Sequence, residues 1–105
     1  QIMESYFMYN MNLEEYARLC ARSLSTFKRD FIKTYGIPPG IWLLKKRLEY
    51  AKYLLITTDK NIYEIVFDSG FRNRSHFIKS FKNEFGTTPL KFKSSQHKRE
   101  AMLKS

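Results

Sequence analysis

Cysteine is almost absent from this sequence, whose 105 residues include only Cys20. A single cysteine forms no disulfide within the chain and is typical of proteins in a reducing compartment. No histidine or second cysteine stands near it at metal-ligand spacing, and it lies in an amphipathic helical pattern. We therefore interpret Cys20 as a buried, unreactive thiol and predict a fold without disulfides.

Long hydrophobic runs and acidic side chains are also scarce. No apolar stretch approaches the roughly 20 residues that a membrane-spanning helix needs, and no signal-peptide pattern is present. Only 10 residues are Asp or Glu, against 19 Lys or Arg, which gives a formal net charge of +9. Such a balance favours a polyanionic partner, such as nucleic acid or an anionic membrane surface. With no segment suited to a bilayer, we expect a cytoplasmic protein.

Sequence motifs of catalysis are missing as well. The chain has no Gly-rich phosphate loop, no G-x-S-x-G elbow and no H-E-x-x-H stretch. His76 and His97 are far apart, and neither has a His or Cys companion at zinc-site spacing. Glu14, Glu15 and Glu64 fit first-turn helix charges better than catalytic acids. The sequence offers no catalytic, cofactor-binding or metal-binding residue, so an enzyme is the least favoured class.

Apolar and aromatic side chains, by contrast, are plentiful. Hydrophobic residues make up 43% of the chain and aromatic residues 16%, which excludes a disordered tail. This length fits one domain with a modest core, and large aromatic side chains help to fill such a core. Because the chain starts at Gln1 rather than Met, we expect a segment of a longer protein.

Helical periodicity dominates the sequence, and no alternating pattern indicates a strand. The predicted helices are 2–8, 13–20, 24–35, 41–56, 62–69 and 74–85, followed by a basic segment and, from 94 onward, a last helix or frayed tail. Suitable caps flank them: Asn12, Ser23 and Asn73 at the starts, and Gly36, Gly70 and Gly86 at the ends. Residues 38–40, Pro-Pro-Gly, are expected to bar helix continuation.

The sequence contains an internal repeat. A shift of 50 residues aligns Ser23 with Asn73, Phe27 with Phe77, Phe31 with Phe81, Gly36 with Gly86 and Pro39 with Pro89. Upstream of the caps the shift is 49, because the second copy has one extra residue in its turn, where Gly70 can supply a positive φ. Each copy thus has the order helix, tight turn, capped helix, Gly, Pro. The repeat predicts an all-α fold with two helix-turn-helix subdomains, about 12–36 and 61–86, joined by a linker helix at about 41–56.

The second helix of each copy has a polar, cationic outer face. At about 100° per residue, the aromatic residues cluster inward and short hydroxyls and cations point outward. The outward set is Ser25, Arg29 and Lys33, with Thr26 and Lys28 beside them, and, in the second copy, Ser75 and Lys79 with His76 beside them. Short side chains let a helix approach the major groove, and long cations then reach guanine or phosphate. Arg74 aligns with Leu24 on the inward side but can swing outward in the first turn, so its role stays open.

The stretch 62–89, IYEIVFDSGFRNRSHFIKSFKNEFGTTP, resembles the AraC/XylS family of bacterial transcription regulators. The Gly-Phe pair, the Ser-x-Phe-x-Lys-x-Phe-Lys run and the Phe-Gly-x-x-Pro ending carry the resemblance. It implies about seven helices and two recognition helices that enter successive major grooves of double-stranded DNA. It also implies DNA contacts at Ser25, Thr26, Lys28 and Arg29 and at Arg74, Ser75, His76 and Lys79.

The resemblance also implies partners and a setting. The protein is then expected to be a nucleoid-associated activator that contacts RNA polymerase. Any effector or dimerisation domain is expected to lie outside this chain. The target promoter, the effector and the choice between activation and repression stay open. The alternative is a basic helical module that binds RNA or an acidic protein through the same face.

Overall fold

The computed structural model describes residues 2–104, apart from the side chains of residues 100, 101 and 104. This part of the chain forms seven helices and no strand, which confirms the predicted all-α class. The helices are α1 (Ile2–Tyr6), α2 (Leu13–Leu19), α3 (Leu24–Tyr35), α4 (Pro39–Thr57), α5 (Ile62–Asp68), α6 (Arg74–Phe85) and α7 (Pro89–Lys104). Within the described range, none of them has both the length and the apolar character needed to cross a membrane.

Side-chain caps fix where the helices of both copies begin. Asn12 and Asn61 each form a capping box, with Glu15 and Glu64 respectively, at the starts of α2 and α5. The Ser23 side chain accepts a hydrogen bond from the Thr26 amide at the start of α3. The Asn73 side chain accepts one from the His76 amide at the start of α6. Both of these longer helices end at a glycine in the left-handed region, Gly36 and Gly86, as predicted.

Prolines begin two helices that the sequence analysis placed too late. The linker α4 starts at Pro39 rather than residue 41, and α7 starts at Pro89 and runs without interruption to Lys104. A proline in the first turn loses only an N–H that would have no helical partner, and its fixed φ suits the helix. Residues 38–40 do bar continuation of α3, which ends at Tyr35, as predicted; the predicted start of the linker at residue 41 was wrong. At the other end of the chain, α1 stops at Tyr6, short of the predicted residue 8.

Two separate cores lie at opposite ends of α4. The first core joins α1, α2 and α3 to the first turns of α4: Met3, Tyr16, Ala17, Phe27, Phe31, Trp42 and Leu43. The second core joins the later turns of α4 to α5 and α6: Leu48, Ala51, Leu54, Leu55, Ile65, Val66, Phe71, Phe77 and Phe81. We call helices α1–α3 the first unit and α5–α7 the second unit. The linker α4 thus contributes side chains to both cores.

The repeat extends beyond what the sequence analysis found. Trp42 packs edge-on against Phe31 with 5.7 Å between ring centroids, and Phe92 packs edge-on against Phe81 at 5.9 Å. These pairs are again 50 residues apart. Helices α4 and α7 therefore close the two copies in the same way. The molecule is elongated, with principal extents of 55 × 24 × 22 Å.

Cys20 was predicted to be buried, but it does not lie in the interior. It is partly exposed and packs against the edge of the first core. The helix α2 ends at Leu19, so the thiol stands at the cap position, where the chain turns. The turn itself contains Ala21, whose φ of 55° is the only positive φ of a non-glycine residue in the described part of the chain.

Candidate nucleic-acid interface

The predicted outer face of α3 is exposed to solvent. Ser25, Lys28, Arg29 and Lys33 are exposed, and Thr26 is half-buried. Thr26 is held at the helix start, where its hydroxyl accepts a hydrogen bond from Ser23 at 3.0 Å and lies 3.5 Å from the Arg29 guanidinium. The opposite side of the helix supplies Phe27 and Phe31 to the first core. The structure thus places all five predicted residues of this unit on one helix.

The predicted residues of α6 are likewise on its solvent side: Arg74, Ser75, His76 and Lys79 are all exposed. The His76 ring lies 5.9 Å from that of Phe71, in the turn before the helix. The inward face contributes Phe77 and Phe81, both fully buried. Each unit therefore presents a polar and basic surface, on α3 in the first unit and on α6 in the second.

Arg74 turns outward rather than toward the core. Its guanidinium lies 4.6 Å from the centre of the Tyr63 ring, and Nη1 donates a hydrogen bond of 2.6 Å to the Tyr63 hydroxyl. Tyr63 is on α5 and is itself exposed. A cation over an aromatic face is held by the ring quadrupole, and here a hydrogen bond adds to it. Sequence reasoning missed Tyr63.

An arginine directly precedes the cap residue of α3 and another precedes that of α6, and the two are held differently. Arg22 pairs with Asp30 of α3, with 3.3 Å between Nη1 and Oδ2. Arg72, which likewise directly precedes the cap residue of its helix, instead donates hydrogen bonds to Asn10, from Nε to Oδ1 at 2.8 Å and from Nη2 to the backbone oxygen at 3.3 Å. Arg72 therefore connects the second unit to the segment that precedes α2.

Arg47 of the linker holds the same segment. It donates hydrogen bonds to the backbone oxygens of Phe7 at 2.7 Å, Tyr9 at 2.8 Å and Met11 at 3.1 Å. Burial lowers the pKa of Arg47, which nevertheless stays cationic at neutral pH. Burial also raises the pKa of the neighbouring Tyr16 hydroxyl. Arg47 was not among the residues predicted from the sequence.

A cleft of about 650 Å³ lies between the two units. Its walls are α4, residues 10–12 before and at the start of α2, and residues 70–73 before α6. Arg47, Arg72 and His76 line it, and none of the lining residues is acidic. The cleft therefore extends the basic character of α6 toward the linker.

The linker sets the scale of the interface. It has 19 residues, so it is about 28 Å long at 1.5 Å per residue. The predicted helix of 16 residues would be shorter by almost one turn. Since the two cores lie at its two ends, this length separates the two recognition helices, α3 and α6.

This arrangement of two units on a shared helix is matched by known proteins. The pattern of a family described as "Helix-turn-helix domain" matches residues 16–95. The chain belongs to the AraC-type helix-turn-helix family. The resemblance in the stretch 62–89 is thereby confirmed, as are the two helix-turn-helix subdomains of the predicted fold.

The relatives of this AraC-type chain are named as transcriptional regulators. The HTH-type transcriptional regulator ExsA of Pseudomonas aeruginosa is 34% identical over 103 residues, which are 98% of this chain and 36% of that protein. The virulence regulon transcriptional activator VirF of Yersinia enterocolitica is 35% identical over 89 residues, 85% of this chain and 33% of that protein. The chain thus spans about a third of the length of these curated relatives.

Among solved structures, the DNA-binding domain of AdpA in complex with a target DNA superposes with a TM-score of 0.86 at 26% identity. The match covers 92% of this chain and 87% of the AdpA chain. The C-terminal domain of the response regulator YesN from Fusobacterium nucleatum gives a TM-score of 0.79 at 36% identity, covering 88% and 89% of the two chains.

Proposed function

We propose that this AraC-type chain is the sequence-specific, double-stranded DNA-binding domain of a bacterial transcription regulator, with α3 and α6 in successive major grooves. The observation that carries the proposal is the repeated exposed face on α3 and α6. Short hydroxyls and long cations occupy that face in both copies, while the opposite side is aromatic and buried. The similarity to the AdpA domain, whose structure contains DNA, supports it.

The two faces divide into base-reading and backbone-contacting positions. Arg29 lies in the middle of the α3 face, where a guanidinium can contact guanine O6 and N7 in the major groove. Ser25 and Thr26 at the start of the helix are short enough for close approach, and Lys28 and Lys33 are placed for phosphates. In the second unit, Ser75, His76 and Lys79 take the equivalent roles. Arg74 extends this set toward α5.

The spacing of the units suits one face of a duplex. Successive major grooves on one face are about 34 Å apart. The linker supplies about 28 Å along its axis, and the width of the units at its ends supplies the rest. A small remaining mismatch would be met by bending of the DNA, which depends on its sequence.

The test is a footprint of the monomer on a selected duplex, followed by an insertion. We expect two protected patches about 10 base pairs apart, and a loss of affinity to the level of one half-site when about 5 base pairs are inserted between them. Affinity that is unchanged by the insertion would contradict binding by both units. A scrambled duplex and a matched RNA hairpin complete the series, since equal affinity for all three would favour a general polyanion-binding module.

We also propose the setting in which this domain acts. Relatives named as transcriptional activators support activation, with RNA polymerase as a protein partner and the cytoplasmic nucleoid as the location. Effector sensing and any oligomerisation would depend on a domain outside these 105 residues, as the greater length of the relatives suggests. Transcription in vitro from the selected site, with and without the domain, tests the first point. No change in transcript yield would contradict activation by this domain alone.

A further inference from the structure

Residues 7–11, which we call the strap, connect α1 to α2 and contact all three parts of the molecule. The first unit holds the chain just before the strap, where the Tyr16 hydroxyl donates a 2.8 Å hydrogen bond to the backbone oxygen of Tyr6 at the end of α1. Phe7 and Met11 pack against the first core. The linker holds the strap through the three hydrogen bonds of Arg47, and the second unit holds it through Arg72 and Asn10.

The strap also lies directly on the turn of the second unit. A Cβ atom at Gly70 would come within 2.9 Å of the Phe7 backbone oxygen and 3.0 Å of that of Met8. The Phe7 ring meets Tyr50 of α4 edge-on, with 5.7 Å between centroids. Tyr50 in turn packs against the second core. The contact between strap and second unit is therefore close-packed as well as hydrogen-bonded.

The helices of the two units do not pack extensively against each other in the described part of the chain. In the described part of the chain, the extensive helix–helix packing of each unit is either internal or with α4, and none of it pairs a helix of α1–α3 with one of α5–α7. Bodies joined through a small interface move relative to one another by default. A helical linker can also curve along its length. The strap joins the two units in addition to α4. Two such connections resist a rotation of one unit relative to the other that a single connection allows.

We infer that the strap fixes the separation and relative rotation of the two recognition helices, and that the Asn10–Arg72 contact is a positioning element that determines which half-site spacing the domain accepts. The inference rests on the proposed two-groove binding. Preorganised partners bind more tightly because less freedom is lost on association. For two linked binding elements, the gain holds only for the geometry that they can reach together. A rigid pair should therefore prefer one spacing, and a loosened pair should accept several.

The first arm of the experiment measures spacing preference. Duplexes carry the two contact segments at the best separation and with 1 or 2 base pairs added or removed, and a half-site duplex serves as reference. For the unmodified domain, we expect a loss of about five- to tenfold on moving one base pair from the optimum. Asn10→Ala, which leaves the charge unchanged, should reduce this preference to about twofold while half-site affinity stays the same. Arg72→Gln should reduce the spacing preference in the same way. Its half-site affinity is compared with that of Lys98→Gln, the control for lost charge on an exposed part of α7.

The second arm needs no DNA. Spin labels at the exposed, repeat-equivalent positions Thr34 and Glu84, in a Cys20→Ala background, report the distance between the ends of α3 and α6. Asn10→Ala should broaden the distribution of distances, and circular dichroism checks that the helices remain.

The outcomes of the two arms are distinct. An unchanged distance distribution together with an unchanged spacing profile would overturn the positioning role. If the unmodified domain shows no preference among spacings, two-groove binding fails, and the role of the strap in DNA selection fails with it. A distribution broadened by Asn10→Ala would still show that the strap restrains the units.

Discussion

In the first unit, Arg22 is paired with Asp30 of its own recognition helix, whereas in the second unit Ser80 occupies the place equivalent to Asp30. Without an acid beside it, Arg72 reaches across to Asn10. The arginine directly before the helix cap thus pairs with a local acid in one copy and joins the two units in the other. Two copies of a repeat can therefore keep the same fold while an arginine at the start of the helix contacts different partners in each copy.

The starts of the recognition helices differ as well. The first unit has Leu24 and Glu14 where the second has Arg74 and Tyr63. A cation in the first turn of a helix is disfavoured by the helix dipole, by about 0.3–1 kcal/mol on an exposed surface. The ring and hydroxyl of Tyr63 offset that cost for Arg74. The second unit therefore maintains a cation where local helix physics disfavours one, which is what a DNA contact would require.

The largest expected effect is a change in the free energy of unfolding that differs between the turn before α3 and the turn before α6. Ala21 and Gly70 are equivalent in the repeat, and both have positive φ, 55° and 95° respectively. Gly70→Ala adds backbone strain and brings its Cβ within 2.8 Å of Arg47 Nε, so we expect a loss of about 2–4 kcal/mol in the free energy of unfolding. Urea denaturation measures it. The reverse change, Ala21→Gly, should stabilise the fold by up to about 0.5 kcal/mol, because relief of strain exceeds the added chain entropy. Equal losses from both changes would contradict this account.

The next effect concerns base reading in the first unit. Arg29→Ala should weaken binding to the selected duplex by about 1–3 kcal/mol and relax specificity at one base pair. Lys33→Ala, further along the same helix, should weaken binding to all duplexes equally, because a phosphate contact is independent of sequence. Fluorescence anisotropy with the selected and the scrambled duplex measures both. If Arg29→Ala lowers the two affinities alike, Arg29 contacts only the backbone.

Structural features were predicted correctly from the sequence where they depend on contacts between residues close together in the chain. The caps Asn12, Ser23 and Asn73 and the stops Gly36 and Gly86 act within one turn of the chain, and all of them were predicted correctly. The inward aromatic residues followed from helical periodicity for the same reason. The five predicted residues of α3 and the four of α6 lie on one solvent-facing side of each helix, although their DNA contacts stay a proposal.

Long-range contacts were missed because no local pattern encodes them. The hydrogen bonds of Arg47 span 36 to 40 residues and those of Arg72 span 62. One signal was nevertheless present: Arg47 follows Leu44 by three residues and precedes Ala51 by four, so it borders the apolar stripe of the linker. An arginine in that position needs buried acceptors. For Arg74, angular position on the helix predicted an inward side chain, but a residue in the first turn has no preceding turn to hold it there.

A smaller effect tests how Arg74 is held. Tyr63→Phe keeps the ring but removes the hydroxyl that accepts from Nη1, so we expect a loss of about 0.5–1 kcal/mol in DNA binding. Tyr53→Phe, at another exposed tyrosine on α4, is the matched control and should have no effect. In the Arg74→Ala background, Tyr63→Phe should also have no effect, because the two changes then act on one interaction. Additive losses would mean that Tyr63 acts independently of Arg74.

The smallest effect comes from giving the first unit the residue of the second. Asp30→Ser removes the partner of Arg22 and places there the side chain that accompanies Arg72. Exposed ion pairs contribute little, so the free energy of unfolding should change by no more than about 0.5 kcal/mol. Arg22 then becomes available for a phosphate. The slope of log K against log salt should steepen by about 0.9 if one more phosphate is neutralised, and affinity should rise on selected and scrambled duplexes alike.

The control for that change is Asp59→Ser, which makes the same substitution in the exposed loop between α4 and α5. It alters the net charge by the same amount but releases no arginine next to a recognition helix. A long-range effect of charge alone is screened within about 8–10 Å at physiological salt, so Asp59→Ser should leave the slope as it was. An equal steepening from both variants would mean that net charge governs the affinity. No steepening from Asp30→Ser would mean that Arg22, unlike Arg72, gains no new partner when no acid stands beside it.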